Sequence, residues 1–292
     1  MENTKRILVV LAHPDDETFG MGGTLALYAR QGALIDLICA TRGEVGEVDQ
    51  EYLAGFNSIG ERRENELRCA AGLLGIHDVH FLGYRDSGMP GSEDNHNPQA
   101  LVQAPIDRVA GEIRQFMWEF QPQVVLTFDP IGGYRHPDHI AIQQATVQAF
   151  NQIVNESNPP DGSTPYRPQA LYFHTFPRTF LKLITRLMPL VGKDPSRLGR
   201  NRDIDLKSIA EVEFPIHVTI DYRPVAEIRE RASACHASQG GGIINSGPLG
   251  WLRRQISAHD EFMQAYPPPD HGKVKHDLFM GVDLEADSGQ AS

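Results

Sequence analysis

Twice in this chain a short apolar run leads into a cluster of histidine and aspartate, and this repeated pattern limits the fold more than any other feature. Ile7 to Leu11 runs directly into Ala12-His13-Pro14-Asp15-Asp16-Glu17, and Val124 to Phe128 is soon followed by His136-Pro137-Asp138-His139. Short apolar runs of this kind read as strands buried on both faces, the habit of a parallel sheet. Further runs at Leu34–Ala40 and Val79–Leu82 alternate with helical patterns at Phe19–Gln31, Glu61–Leu74, Pro105–Phe120 and His139–Asn155. Such alternation predicts an α/β, Rossmann-like, doubly wound and mostly parallel sheet. Gly20, Gly22 and Gly23 would let the first helix pack closely on that sheet, and Gly32 and Gly75 would stop two helices.

In such sheets ligands bind beyond the carboxyl ends of the strands, where both clusters fall. A catalytic zinc site needs three protein ligands and one open position. His13, Asp16 and His139 supply two imidazoles and a carboxylate, so the expected metal site lies at the carboxyl ends of the strands. Zn2+ suits this set, as do Fe2+, Co2+ and Ni2+. Asp15, next to a ligand, is the candidate general base. His136, when protonated, and Tyr134 are the candidates for stabilising an oxyanion, and Asp138 for orienting a histidine. Glu17 reads as a first-turn charge. A dinucleotide-binding oxidoreductase is disfavoured, because no GxGxxG follows the first strand and His13-Pro-Asp-Asp takes its place.

At these residues the sequence resembles the LmbE-like, or PIG-L, deacetylases. The resemblance rests on Ala12-His-Pro-Asp-Asp-Glu17, Thr41-Arg-Gly-Glu44 and Gly132-Gly-Tyr-Arg-His-Pro-Asp-His139, all within about the first half of the chain. It implies a metal on His13, Asp16 and His139, Asp15 as base, and transition-state roles for His136 and Tyr134. It further implies hydrolysis of an N-acetylglucosamine-type amide. Gly43-Glu-Val-Gly-Glu-Val48, Arg63-Glu-Asn-Glu-Leu67 and Arg85-Asp-Ser-Gly-Met89 resemble the branch that serves mycothiol metabolism, both its N-acetylglucosaminyl-inositol deacetylases and its S-conjugate amidases. By that resemblance Glu47, Arg63 and Asp86 would contact sugar or polyol hydroxyls, and His236-Ala-Ser-Gln239 would belong to a late pocket segment. The alternatives are an amidase cleaving a larger, cysteinyl-type acyl group and a non-catalytic carbohydrate-binding protein.

The net charge of −11 argues against a nucleic-acid or anionic membrane surface; the resemblance implies a small amino-sugar as the partner, and a homo-oligomer is an open option. Cys39, Cys69 and Cys235 show no disulfide framework and no CxxC motif, and read as buried apolar residues in a reducing cytoplasm. One domain over residues 1–266 is expected, with an insertion or lid at about 157–210 carrying Phe180–Val191 and the basic residues Lys193, Arg197, Arg200 and Arg202. Phe180–Leu190, Pro224–Ala237 and Leu249–Tyr266 read as helices and Ala170–His174 and Phe214–Ile220 as strands. Residues 267–292 read as a mobile tail.

Overall fold

The computed structural model describes residues 4–155, 166–175, 182, 185–192, 194–197, 205–242, 258–270 and 272–284. Strand β1 (Arg6–Leu11) pairs in parallel with both β2 (Leu34–Thr41) and β4 (Val124–Phe128). Its residues Ile7 to Val10 are fully buried, which is why the run carries no polar alternation. With β3 (Asp78–Tyr84), β5 (Ala170–Thr175), β6 (Val218–Asp221) and β7 (His259–Tyr266), these strands form one seven-stranded sheet in the order β3-β2-β1-β4-β5-β7-β6. Every pairing up to β5 is parallel, and β7 is antiparallel to both neighbours. The chain runs outward from β1 to β3, returns to β4 on the other edge of β1, and continues to β5. That reversal opens a crevice above the carboxyl ends of β1 and β4. The doubly wound, mostly parallel architecture is the one the sequence predicts.

The helices are α1 (Asp16–Arg30), α2 (Ile59–Leu74), α3 (Ile106–Phe120), the single turn α4 (Gly132–Arg135), α5 (Pro137–Asn155), α6 (Leu206–Glu211) and α7 (Ala226–Cys235). Ser58 caps α2 by accepting from the Glu61 N–H, and Gly75 ends it at φ 77°. The small residues of α1 work differently from the expectation. Gly20 does approach the sheet, at His174 of β5, but Gly23 admits the ring of Tyr222, whose Cγ lies 2.1 Å from where a Cβ would stand.

Three expectations are corrected. Residues His259–Tyr266, read as the end of a helix, form β7; its inward positions include Asp260 and Gln264, which hide the alternation. Residues 272–284 of the expected tail are docked on the core: Leu278 is fully buried, Phe279 nearly so, and the Tyr172 hydroxyl donates to the Leu278 carbonyl at 3.0 Å. Cys69 of α2 and Cys235 of α7 form a disulfide across 166 positions, leaving Cys39 as the buried free thiol. The disulfide removes the cysteine argument for a reducing compartment. Among the described residues no helix is long and apolar enough to cross a membrane. Most of the expected insertion at 157–210, much of Phe180–Leu190 and residues 249–257 lie outside the described residues.

Candidate active site

The β1 cluster and the β4 cluster meet in the crevice. The His13 Nδ1 lies 3.1 Å from His139 Nε2, and Asp16 offers Oδ2 at 3.6 Å from the former and Oδ1 at 3.3 Å from the latter. Donor atoms held about 2.0–2.1 Å from one tetrahedral ion stand about 3.3 Å apart; the two imidazole nitrogens meet that spacing, while Asp16 meets each of them through a different oxygen. The second nitrogen of each imidazole is engaged elsewhere. His139 Nδ1 donates to the Gly132 carbonyl at 3.2 Å, and His13 Nε2 to Asp138 Oδ2 at 3.1 Å. Both bonds occupy the outward nitrogen and leave the inward one to a metal; burial opposes charge on His13, but Asp86, Asp138 and Asp16 raise it well above the ordinary histidine value, so a bound metal would displace its inward proton. Phe128 stacks on the His139 ring, with centroids 3.9 Å apart, and restricts its rotation.

Asp138 is fully buried and also accepts from the Ser87 N–H at 2.9 Å and from the Ser87 hydroxyl. Asp138 thus orients His13, which lies 125 positions away in the chain. The donor atoms of His136 also come within 4.8 Å of those of His13 and His139, and the same holds for a His13, Asp86, His136 and Asp138 group. In that second group His13 Nε2 and Asp138 already bond each other, which makes it the poorer cradle.

Asp15 stands at φ 115°, a backbone conformation that costs an L-residue about 1–3 kcal/mol. Its N–H donates to Glu17 Oε2 at 3.0 Å, and its carbonyl accepts from Thr18 and Phe19 as α1 begins. Its Oδ2 accepts from Arg63 Nη2 at 3.0 Å. Burial pushes the Asp15 carboxyl up to about 6, against the opposing pull of Arg63 and with a further push from Asp16. The Asp16 carboxyl is held well below the usual range: burial works against this, but His139 and His13 outweigh it. Burial raises the Tyr134 phenol, with Asp16 adding to it, so its O–H is retained at neutral pH.

His136 corrects the expectation of a protonated imidazole. Burial first, then His13 and His139, pull it down to about 2, so it is neutral at neutral pH. A cation bound at His13, Asp16 and His139 would place positive charge on the same side and act in the same direction. The Asp138 N–H donates to His136 Nδ1 at 3.2 Å, which puts the ring proton on Nε2. A neutral imidazole with a fixed Nε2–H remains a hydrogen-bond donor.

His13, Asp15, Glu47, Arg63, Asp86, Tyr134 and His136 all border one cavity of about 840 Å³. Arg63 is buried and already committed, donating to Gly43 O at 3.0 Å, Pro14 O at 2.7 Å and Asp15. Its structural task is to hold the Asp15 loop against α2. Asp86 accepts from Gly88 N at 2.9 Å and has an oxygen 3.5 Å from His13 Nε2. Its carboxyl lies well below the usual range: burial opposes this, but His13 and the Gly88 bond prevail. Glu47 is exposed at the rim, where Gln239 donates to its carbonyl at 3.3 Å.

Sequence reasoning undervalued two groups. Glu17, read as a first-turn charge, is fully buried and bonds His236 Nε2 at 2.8 Å, and His236 is itself fully buried. Burial opposes protonation of His236, but the carboxylates of Glu17, Asp15 and Glu66 raise it above the ordinary histidine value. The signals were the final Glu of Ala12–Glu17 and the late His-containing segment, but nothing in either pointed to the other.

A family profile described as "PIG-L: GlcNAc-PI de-N-acetylase" matches residues 8–150. The chain is 44% identical over 246 residues to a 1D-myo-inositol 2-acetamido-2-deoxy-alpha-D-glucopyranoside deacetylase of Thermobifida fusca, covering 81% of this chain and 84% of that one. It is 37% identical over 293 residues to the Streptomyces avermitilis protein of the same name, covering 95% and 97%. The structure of GalB, a 4-carboxy-2-hydroxymuconate hydratase from Pseudomonas putida, shares the fold at TM-score 0.56 and 19% identity, covering 92% of this chain and all of that one. A hydratase on the same fold shows that architecture alone does not determine the chemistry.

Proposed function

The chain belongs to the PIG-L family of GlcNAc-PI de-N-acetylases, and on that premise we propose that it is a metal-dependent deacetylase of N-acetylglucosamine-type amides, with zinc as its metal. The observation that carries this reading is the convergence of His13 Nδ1 and His139 Nε2, 3.1 Å apart, with the two Asp16 oxygens, one 3.6 Å from the former and the other 3.3 Å from the latter, while the second nitrogen of each imidazole is bonded elsewhere. The named relatives point to an amino sugar linked to inositol, and a polar cavity rimmed by Glu47, Asp86 and Gln239 suits such a polyol. Their names favour acetyl over a larger acyl group, and the presence of every proposed ligand and base disfavours a non-catalytic binding role.

When bound, the divalent cation supplies Lewis-acid polarisation of the amide carbonyl and a lowered pKa for a ligated water. Asp15, raised to about 6, takes a proton from the attacking water. Arg63 keeps its carboxylate turned to the cavity. The Tyr134 hydroxyl and the His136 Nε2–H donate to the developing oxyanion, which needs donors rather than a charged imidazole. Protonated Asp15 then delivers its proton to the departing amine. The products are acetate and a free amino sugar, and Asp15 returns to its starting charge.

The test measures acetate release from N-acetylglucosaminyl-inositol and simpler N-acetylglucosamine derivatives. Zinc- or iron-loaded protein is compared with chelated protein and His139→Ala. Metal-dependent release supports the reading; one tightly held metal with no release from any acetylated sugar would overturn it. Asp15→Asn should keep its metal and lose on the order of 10²–10⁴ in turnover.

A further inference from the structure

Glu17 and His236 do not border the cavity, yet both are fully buried and bonded to each other across 219 positions of chain. Burying a carboxylate and an imidazole is unfavourable unless each meets a specific partner. Glu17 meets three: Oε1 accepts from His236 Nε2 at 2.8 Å and from the Thr18 hydroxyl at 2.5 Å, and Oε2 accepts from the backbone N–H of Asp15 at 3.0 Å. That N–H belongs to the residue at φ 115°. The hydrogen-bond chain therefore runs from His236 through Glu17 to the strained peptide that aims the Asp15 carboxylate.

The far end of this chain is fixed by α2. Cys235, immediately before His236, is bonded to Cys69, and Ser238, two residues after it, donates its N–H at 2.9 Å and its hydroxyl at 2.7 Å to Glu66. His236 is thus held from both sides and packs on Phe19, with ring centroids 5.6 Å apart. Its Nδ1 meets no partner among the described residues, so the bond to Glu17 is the one polar contact its ring makes there.

We propose that Glu17 and His236 form a positioning pair, which acts through the Asp15 peptide to hold the base carboxylate in its working direction. The inference rests on the reading of Asp15 as general base. Neither residue touches substrate, so their loss should lower kcat while KM and metal stoichiometry stay within about twofold.

The experiment compares His236→Leu, which removes the donor, with His236→Gln, whose side-chain N–H can reach Glu17. Each is made in the wild-type and Asp15→Ala backgrounds of the full chain. Expected is a roughly 10–100-fold fall in kcat for His236→Leu, substantial recovery in His236→Gln, and no further fall when His236→Leu is added to Asp15→Ala. Amide exchange across residues 13–19 should quicken in His236→Leu. Wild-type kcat in His236→Leu, an equal fall in the Asp15→Ala background, or loss of metal would each overturn the pair's role. Should His236→Leu fail to fold, Glu17→Gln is measured in the same two backgrounds, with a kcat fall confined to the wild-type background expected. If Asp15→Ala alone retains wild-type turnover, the base assignment fails, an outcome distinct from those that refute the pair.

Discussion

Replacing Tyr28 by Phe removes one oxygen atom and tests whether the stretch after Pro267 is part of the core. The Tyr28 hydroxyl donates to Asp277 Oδ1 at 2.6 Å and accepts from the Leu278 N–H at 2.7 Å, and its ring lies 5.7 Å from that of Phe279. Phenylalanine keeps the ring packing and loses both bonds. The Leu278 N–H is then left buried without its acceptor, at a cost of about 1–3 kcal/mol. The bond to half-exposed Asp277 adds little, because water can replace it. In a chain of this size each kcal/mol moves Tm by about 2–4 °C, so a fall of about 2–12 °C is expected. Thermal unfolding followed by circular dichroism gives the shift, and limited proteolysis read by intact mass should show new cleavage between 267 and 284. A Tm within about 1 °C of wild type, with unchanged cleavage, would refute the claim that this segment is docked through Tyr28.

The remaining expectations concern other parts of the molecule. Cys69→Ala/Cys235→Ala should lose up to about 5 kcal/mol by the loop-entropy argument, and alkylation of denatured protein should find one thiol before reduction and three after; three before reduction would remove the disulfide. Burial, then Arg229, pulls the His174 imidazole from 6.5 down to about 4, so between these values the unfolded chain holds a proton that the native one lacks. The stability this residue contributes is complete above 6.5 and is lost as pH falls toward 4, by about 3 kcal/mol at most. Urea midpoints at about pH 7 and about pH 4.5 should therefore diverge less in His174→Asn than in wild type; equal divergence would contradict the shift. Chelation should abolish acetate release without unfolding the sheet, with zinc, Fe(II) or Co(II) restoring it, and His139→Ala should weaken metal binding; turnover that survives complete metal removal would refute a metal-dependent site.

The central sheet and the meeting of the two clusters could be read from sequence because parallel strands buried on both faces write their position as unbroken apolar runs, and the switch point follows from strand order. The strand β7 could not, since Asp260 and Gln264 occupy inward positions and Thr24 supplies two hydrogen bonds to Asp260 from α1. Leu278 and Phe279 are a short apolar pair in polar surroundings, too brief to show a period. His136 lies beside His139, with ring centroids 5.0 Å apart, but its neutral state depends on burial and on the Asp138 N–H, neither of which a motif displays. Glu17, His236, Cys69 and Cys235 were each visible; their pairings exist only once α7 lies against α1 and α2.

The insertion of β7 between β5 and β6 has a consequence for the order of synthesis. Every group proposed for catalysis has been translated by residue 139, and the parallel core by residue 175. At that stage β5 presents an open edge, because its second neighbour is still about ninety residues from the peptidyl-transferase centre, a separation that favours slow closure. Strand β6 emerges earlier but has no place in the sheet until β7 arrives to join them. The nascent chain thus carries its proposed ligands and base on an unfinished sheet before His236 is made, and β7, translated after the other six described strands, covers the edge most open to pairing with another chain.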